Sequence, residues 1–146
     1  MVMRITKNFT LKELIHSPTA VAKGLNNIPG EEETENLITL ANKLLQPLRD
    51  MLGKSIMVTS GYRSPEVNKA VGGVPTSQHM KGEAADLVPS DNNPRGLLRK
   101  LALSKLAFDQ AILYDDGRNK FLHVSYTSSK KNRMQILYSK GTKPGF

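Results

Sequence analysis

Between residues 31 and 52, Leu37, Ile38, Ala41, Leu44, Leu45, Leu48 and Leu52 recur at three- and four-residue spacing. That is the period of a helix with one buried face. Glu31, Glu32 and Glu33 open the segment, where acids favour the positive end of the helix dipole. Gly53 is a plausible stop. Pro47 falls inside the pattern and should kink it, because proline cannot donate to the carbonyl four residues back. Upstream, Thr10 and Glu13 form a capping box for a short helix ending near His16. Residues 17–30, rich in Ser, Pro, Asn and Gly, read as a loop closing on Pro29-Gly30.

After Gly53 the pattern changes. Ile56 to Ser60 is a short apolar run bounded by turn residues and reads as a buried strand. Ser64-Pro65 supplies an N-cap and first-turn proline for a short helix. Gly72-Gly73-Val74-Pro75 is a loop. Gly82 permits a tight turn into a strand from Glu83 to Val88. Asn92-Asn93-Pro94 starts a helix carrying Leu97, Leu98, Leu101 and Ala102 inward. Ala111–Tyr114 and Phe121–Tyr126 read as strands joined at Asp116-Gly117, with a last strand at Gln135–Tyr138. Helices lying to one side of a small antiparallel sheet give an α+β fold. At 146 residues the chain fits a single domain, 1–146.

Charge adds an asymmetry. The net charge is +8, and seven Lys or Arg with no acid lie between Gly117 and Phe146. A basic C-terminal part of this kind suits an anionic polymer, either a cell-wall glycopolymer or nucleic acid. Few aromatics and no nucleic-acid motif disfavour nucleic acid. With no cysteine, disulfides, thiolate zinc sites and a cysteine nucleophile are excluded. Residues 1–8 lack the apolar run of a signal peptide, and no stretch is long enough to span a membrane. The expectation is a monomer made in the cytoplasm that reaches any wall substrate by lysis or another export route.

The chemistry gathers in Ser77-Gln78-His79-Met80-Lys81-Gly82-Glu83-Ala84-Ala85-Asp86. An imidazole and a carboxylate suit a borderline metal such as zinc. Strand alternation sends Ala84 and Asp86 to one face and Leu87 to the core. The same alternation buries Leu122, Val124 and Tyr126 and turns His123 to the opposite side. His79, Asp86 and His123 then give three ligands for Zn2+ with one coordination position open, the pattern of a catalytic site. Arg63 follows a strand and a glycine, a place from which its fork can reach a cleft and meet a carboxylate. Ser77 and Tyr62 are candidate hydrogen-bond partners for a substrate. Three of these residues have an alternative reading: Ser77 as a turn residue, Arg63 as a structural ion pair and His123 as a satisfied sheet histidine. His16, the remaining histidine considered as a ligand, reads as a surface or capping residue because nothing around it has ligand spacing.

Ser-x-His-x-x-Gly-x-Ala-x-Asp resembles the signature of the zinc D-alanyl-D-alanine carboxypeptidases, whose fold is shared with the hedgehog signalling domain. The phage-borne and mobile-element branch is similar over nearly the whole chain, through Phe9–Leu14, Ser60–Ser64, Phe108-Asp109-Gln110 and His123–Tyr126. The resemblance implies a zinc peptidase acting next to D-alanine in peptidoglycan peptides, as a carboxypeptidase or an endolysin-type endopeptidase. It also implies that Arg63 grips a terminal carboxylate. The chain departs from the family at the general base. An acid three residues before the last histidine is replaced by Lys120, and the branch's glutamate falls on Tyr114. A one-residue bulge at that strand end would aim Asp115 inward as the base. Asp109 is expected to be structural. Without a base, the alternative is a zinc-stabilised, catalytically impaired wall-binding module.

Overall fold

The computed structural model describes residues 3–146. Met1 and Val2, the start of the segment expected not to be a signal peptide, lie outside the described residues. Helix α1 (Leu11–Ile15) begins as expected: Thr10 Oγ1 accepts from the Glu13 N–H and donates to Glu13 Oε1. The stretch 17–30, expected to be a loop, contains a second helix, α2 (Pro18–Lys23). Ser17 caps it through the Ala20 N–H, Pro18 occupies the first turn, and Gly24 ends it with φ 65°.

The long helix runs as α3 (Glu31–Leu40), one wide π turn (Ala41–Leu45) and α4 (Gln46–Leu52). The kink expected at Pro47 is thus a π turn directly before the proline, closed by the Gln46 N–H on the Ala41 carbonyl. Leu37, Leu40, Ala41, Leu44, Leu45 and Leu48 are fully buried. Leu40 takes the place expected of Ile38, which is only half-buried. The Gln46 side chain also ties down the N-terminal segment, accepting from the Thr6 hydroxyl and the Asn8 N–H.

Five strands form one sheet in the order β1 (Ile56–Ser60), β2 (Ala84–Pro89), β4 (Lys120–Ser125), β3 (Gln110–Asp115), β5 (Gln135–Tyr138). The first four pair antiparallel, and β5 joins β3 in parallel. Between β1 and β2 run α5 (Pro65–Ala70) and a 3-10 turn (Gln78–Lys81), and α6 (Pro94–Ala102) lies between β2 and β3. Strand alternation gives the sheet two unlike faces. Ala85, Leu87, Leu113, Leu122 and Val124 are buried with the leucines of α3, the π turn, α4 and α6. Truncating one of these leucines to alanine should cost about 2–5 kcal/mol. The other face carries Asp86, His123, Ile112 and Tyr114 and floors an open cleft of about 750 Å³.

Candidate metal centre

His79 sits in the 3-10 turn, and both ends of that turn are fixed. Ser77 Oγ accepts from the His79 N–H at its start. Gly82 ends it with φ 74°, packed so closely on α3 that a β-carbon would run into the Glu33 carbonyl. The His79 ring is 3% exposed, and its Nδ1 lies 2.7 Å from the Gly61 carbonyl oxygen. A carbonyl can only accept, so Nδ1 carries the proton and Nε2 presents its lone pair. That lone pair faces Asp86 Oδ1 at 3.3 Å.

Asp86 and His123 are direct cross-strand partners in the β2–β4 register, which places their side chains together on the cleft face. His123 Nδ1 lies 2.9 Å from the same Asp86 Oδ1. The two imidazole rings meet edge to face, with centroids 5.1 Å apart. One donor atom from each of His79, Asp86 and His123 falls within 4.8 Å of the other two. Two imidazole nitrogens and a carboxylate oxygen suit zinc. A lone pair aimed at a carboxylate oxygen also repels it unless a cation lies between, so the chemistry of the donor set fits a bound zinc ion. Burial works against the charge of Asp86, but the hydrogen bond from His123 outweighs it and holds the carboxyl well below the usual range.

Arg63 borders the group from the β1 side. Its Nε donates to Ser60 Oγ at 3.1 Å and its Nη1 to Asn68 Oδ1 at 3.2 Å, while Nη2 lies 3.6 Å from Asp86 Oδ2. A guanidinium has five N–H groups, so this anchoring leaves donors for a ligand in the cleft that Arg63 lines. Ser77 lines the cleft, and its oxygen caps the turn.

Two candidate residues lie elsewhere. Tyr62 is 5% exposed and belongs to the core, with its N–H on the Leu14 carbonyl, and it is not among the cleft residues. Gly61 brings the chain so close to α1 that a β-carbon would meet the Leu14 carbonyl, and this contact draws Tyr62 inward. Asp115 is likewise outside the cleft. Its carboxylate pairs with Arg95 of α6 at 3.3 Å, and Arg95 also donates to the Lys143 and Gly145 carbonyls. The expected bulge is absent, since β3 pairs with β4 without a break from Ala111 to Asp115. Unbroken alternation gives the cleft position to Tyr114 and sends Asp115 to the far face.

Tyr114 stacks on Phe121 at 4.3 Å, and both rings line the cleft. Burial and then the Asp86 charge push its phenol pKa up, so it is a neutral donor. The carboxylates lining the cleft are Asp86 and Glu83. Glu83, 5% exposed, stands inside the signature, three residues before Asp86. Strand alternation alone assigns it to the core side, but β2 begins only at Ala84.

A sheet-floored cleft with a His-Asp-His donor set fits a mononuclear zinc hydrolase. A family model described as Peptidase M15 matches residues 7–125. The chain belongs to the Peptidase M15 family, zinc metallopeptidases of the D-Ala-D-Ala carboxypeptidase type. Zinc is the cofactor of this family. No curated protein matches the chain. Among the described residues, no helix is long and apolar enough to cross a membrane.

Proposed function

We propose that the chain is one peptidase domain that hydrolyses the bond next to D-alanine in peptidoglycan peptides. The observation that carries this reading is the convergence of His79, Asp86 and His123 beside Arg63 in one cleft. His79 and His123 would hold zinc through nitrogen and Asp86 through oxygen. When bound, zinc polarises the scissile carbonyl and lowers the pKa of water. Arg63, oriented by Ser60 and Asn68, uses its remaining N–H groups to hold the substrate's terminal carboxylate. Glu83 replaces Asp115 as the group that takes a proton from the attacking water and delivers it to the leaving amine. The Tyr114 hydroxyl adds a neutral donor at the cleft wall.

The test is hydrolysis of a D-Ala-D-Ala-ended peptide by zinc-loaded protein, compared with its C-terminal amide. Wild type should cleave the free acid and strongly prefer it; Arg63→Lys should lose that preference, because an ammonium cannot reproduce the fork. Equal cleavage of both peptides by wild type would return Arg63 to a structural role. A second reading is supported by Asp115 facing away from the cleft and by Lys120 three residues before His123: a zinc-stabilised module that binds wall material without cutting it. Stoichiometric zinc with no hydrolysis of any D-Ala peptide would favour that module. We further propose that the substrate is met at the cell wall after lysis or export.

A further inference from the structure

The cleft has a second built cation on the side opposite Arg63. Asp109 is fully buried, immediately before β3. It accepts from the Arg133 backbone N–H at 3.0 Å, from Arg133 Nε at 3.0 Å and Nη2 at 2.8 Å, and from Gln78 Nε2 at 3.1 Å. The carboxylate is thereby saturated, and two N–H groups on one edge of the guanidinium are fixed by it. The rest of Arg133 faces outward, with half of its side chain exposed, and lines the cleft together with Lys130. Gln78 belongs to the turn that carries His79, so one buried aspartate sets the position of Arg133 relative to the metal group.

Sheet order fixes the arrangement. Arg63 follows β1 at one edge of the sheet, and Arg133 precedes β5 at the other. Asp86 and His123 stand on β2 and β4 between them. A ligand lying across the strands meets a guanidinium, then the metal group, then a second guanidinium with Lys130 beside it. Glu83 is the acid that tempers this field.

Resting on the peptidase reading, we propose that Arg133 and Lys130 form a second anion subsite, so that the substrate is a peptide carrying an acidic group on the amino-terminal side of the cut bond as well as the carboxylate held by Arg63. The part of the basic C-terminal region at 130–133 thus reads the substrate peptide itself instead of tethering the protein to wall polymer.

Binding tests this without turnover. Calorimetry would use peptides with a reduced, non-cleavable bond at the scissile position, a free C-terminus, and Glu or Gln at each of the three preceding residues. At one position the Glu peptide should bind about tenfold more tightly than its Gln twin, the scale of one charge-assisted contact. Arg133→Gln alone would strand the buried Asp109 charge, so it is combined with Asp109→Asn. That pair of changes should abolish the Glu preference, and Lys130→Gln, which leaves the pair intact, should reduce it. Equal affinities for Glu and Gln peptides at all three positions would overturn the subsite, as would a preference that survives the Arg133→Gln/Asp109→Asn change. Tighter binding of a glycerol-phosphate oligomer with no Glu preference would reassign the cations to wall polymer and overturn it too. A retained Glu preference without hydrolysis of the cleavable peptides would count against the peptidase reading alone.

Discussion

Asp86, which lines the cleft, and Asp109, which does not, are both buried aspartates, and both carboxyls are held below their ordinary range. Their partners separate them. Asp86 accepts from His123 and faces the lone pair of His79, and an imidazole N–H can exchange its proton for a metal. Asp109 is bonded mainly by Arg133, which cannot give up its proton, and by Gln78. Burial and a depressed pKa therefore mark both residues alike, and only the chemistry of the donor distinguishes a ligand from a strut. Asp115 is likewise paired with an arginine, Arg95.

The largest effect expected is at Glu83. Glu83→Gln should keep wild-type zinc and lose about 10²–10⁴-fold in hydrolysis, the usual worth of a general acid–base group. Unchanged turnover would move the proton transfer elsewhere. Asp109→Asn should show the opposite profile, with zinc retained and stability reduced by about 1.5–3 kcal/mol, typical for hydrogen bonds to a charged group. A denaturant titration would read it, and an undiminished midpoint would sink the strut.

Acid sharpens the same contrast. Hydrogen bonds from Arg133 hold the Asp109 carboxyl down to about 2, below the unfolded value. Its contribution is complete above about pH 4 and is lost as the pH falls through about 2. Wild type should therefore lose stability across that window more steeply than Asp109→Asn. Parallel curves would contradict the assignment. The smallest effect belongs to Asp115→Asn. It should cost at most about 1 kcal/mol, as expected for a part-exposed ion pair, and leave hydrolysis intact. An inactive Asp115→Asn protein that still binds zinc would reverse the placement of β3.

Much of this was legible because residue type and period agreed. The Ser77–Asp86 run, the alternation through His123 and the capped α1 all rest on local rules. Helix α2 carries the same Ser-Pro start signal as α5, but the Asn, Gly and Pro residues around Ser17-Pro18 give the stretch the pattern of a loop. The bulge was expected in the wrong strand: the irregularity lies in β1, between Val58 and Ser60, where it helps Ser60 meet Asp86. Nothing local shows that β5 returns parallel to β3, or that Arg133 closes on Asp109 from 24 residues away. Those are long-range pairings, and they create the second cation of the cleft.

The most direct test of the account is zinc content, measured by atomic emission on purified Asp86→Ala and Asp109→Asn proteins beside wild type. The account predicts one zinc per chain in wild type and in Asp109→Asn, and background zinc in Asp86→Ala. Full zinc in Asp86→Ala, or its loss from Asp109→Asn alone, would contradict it.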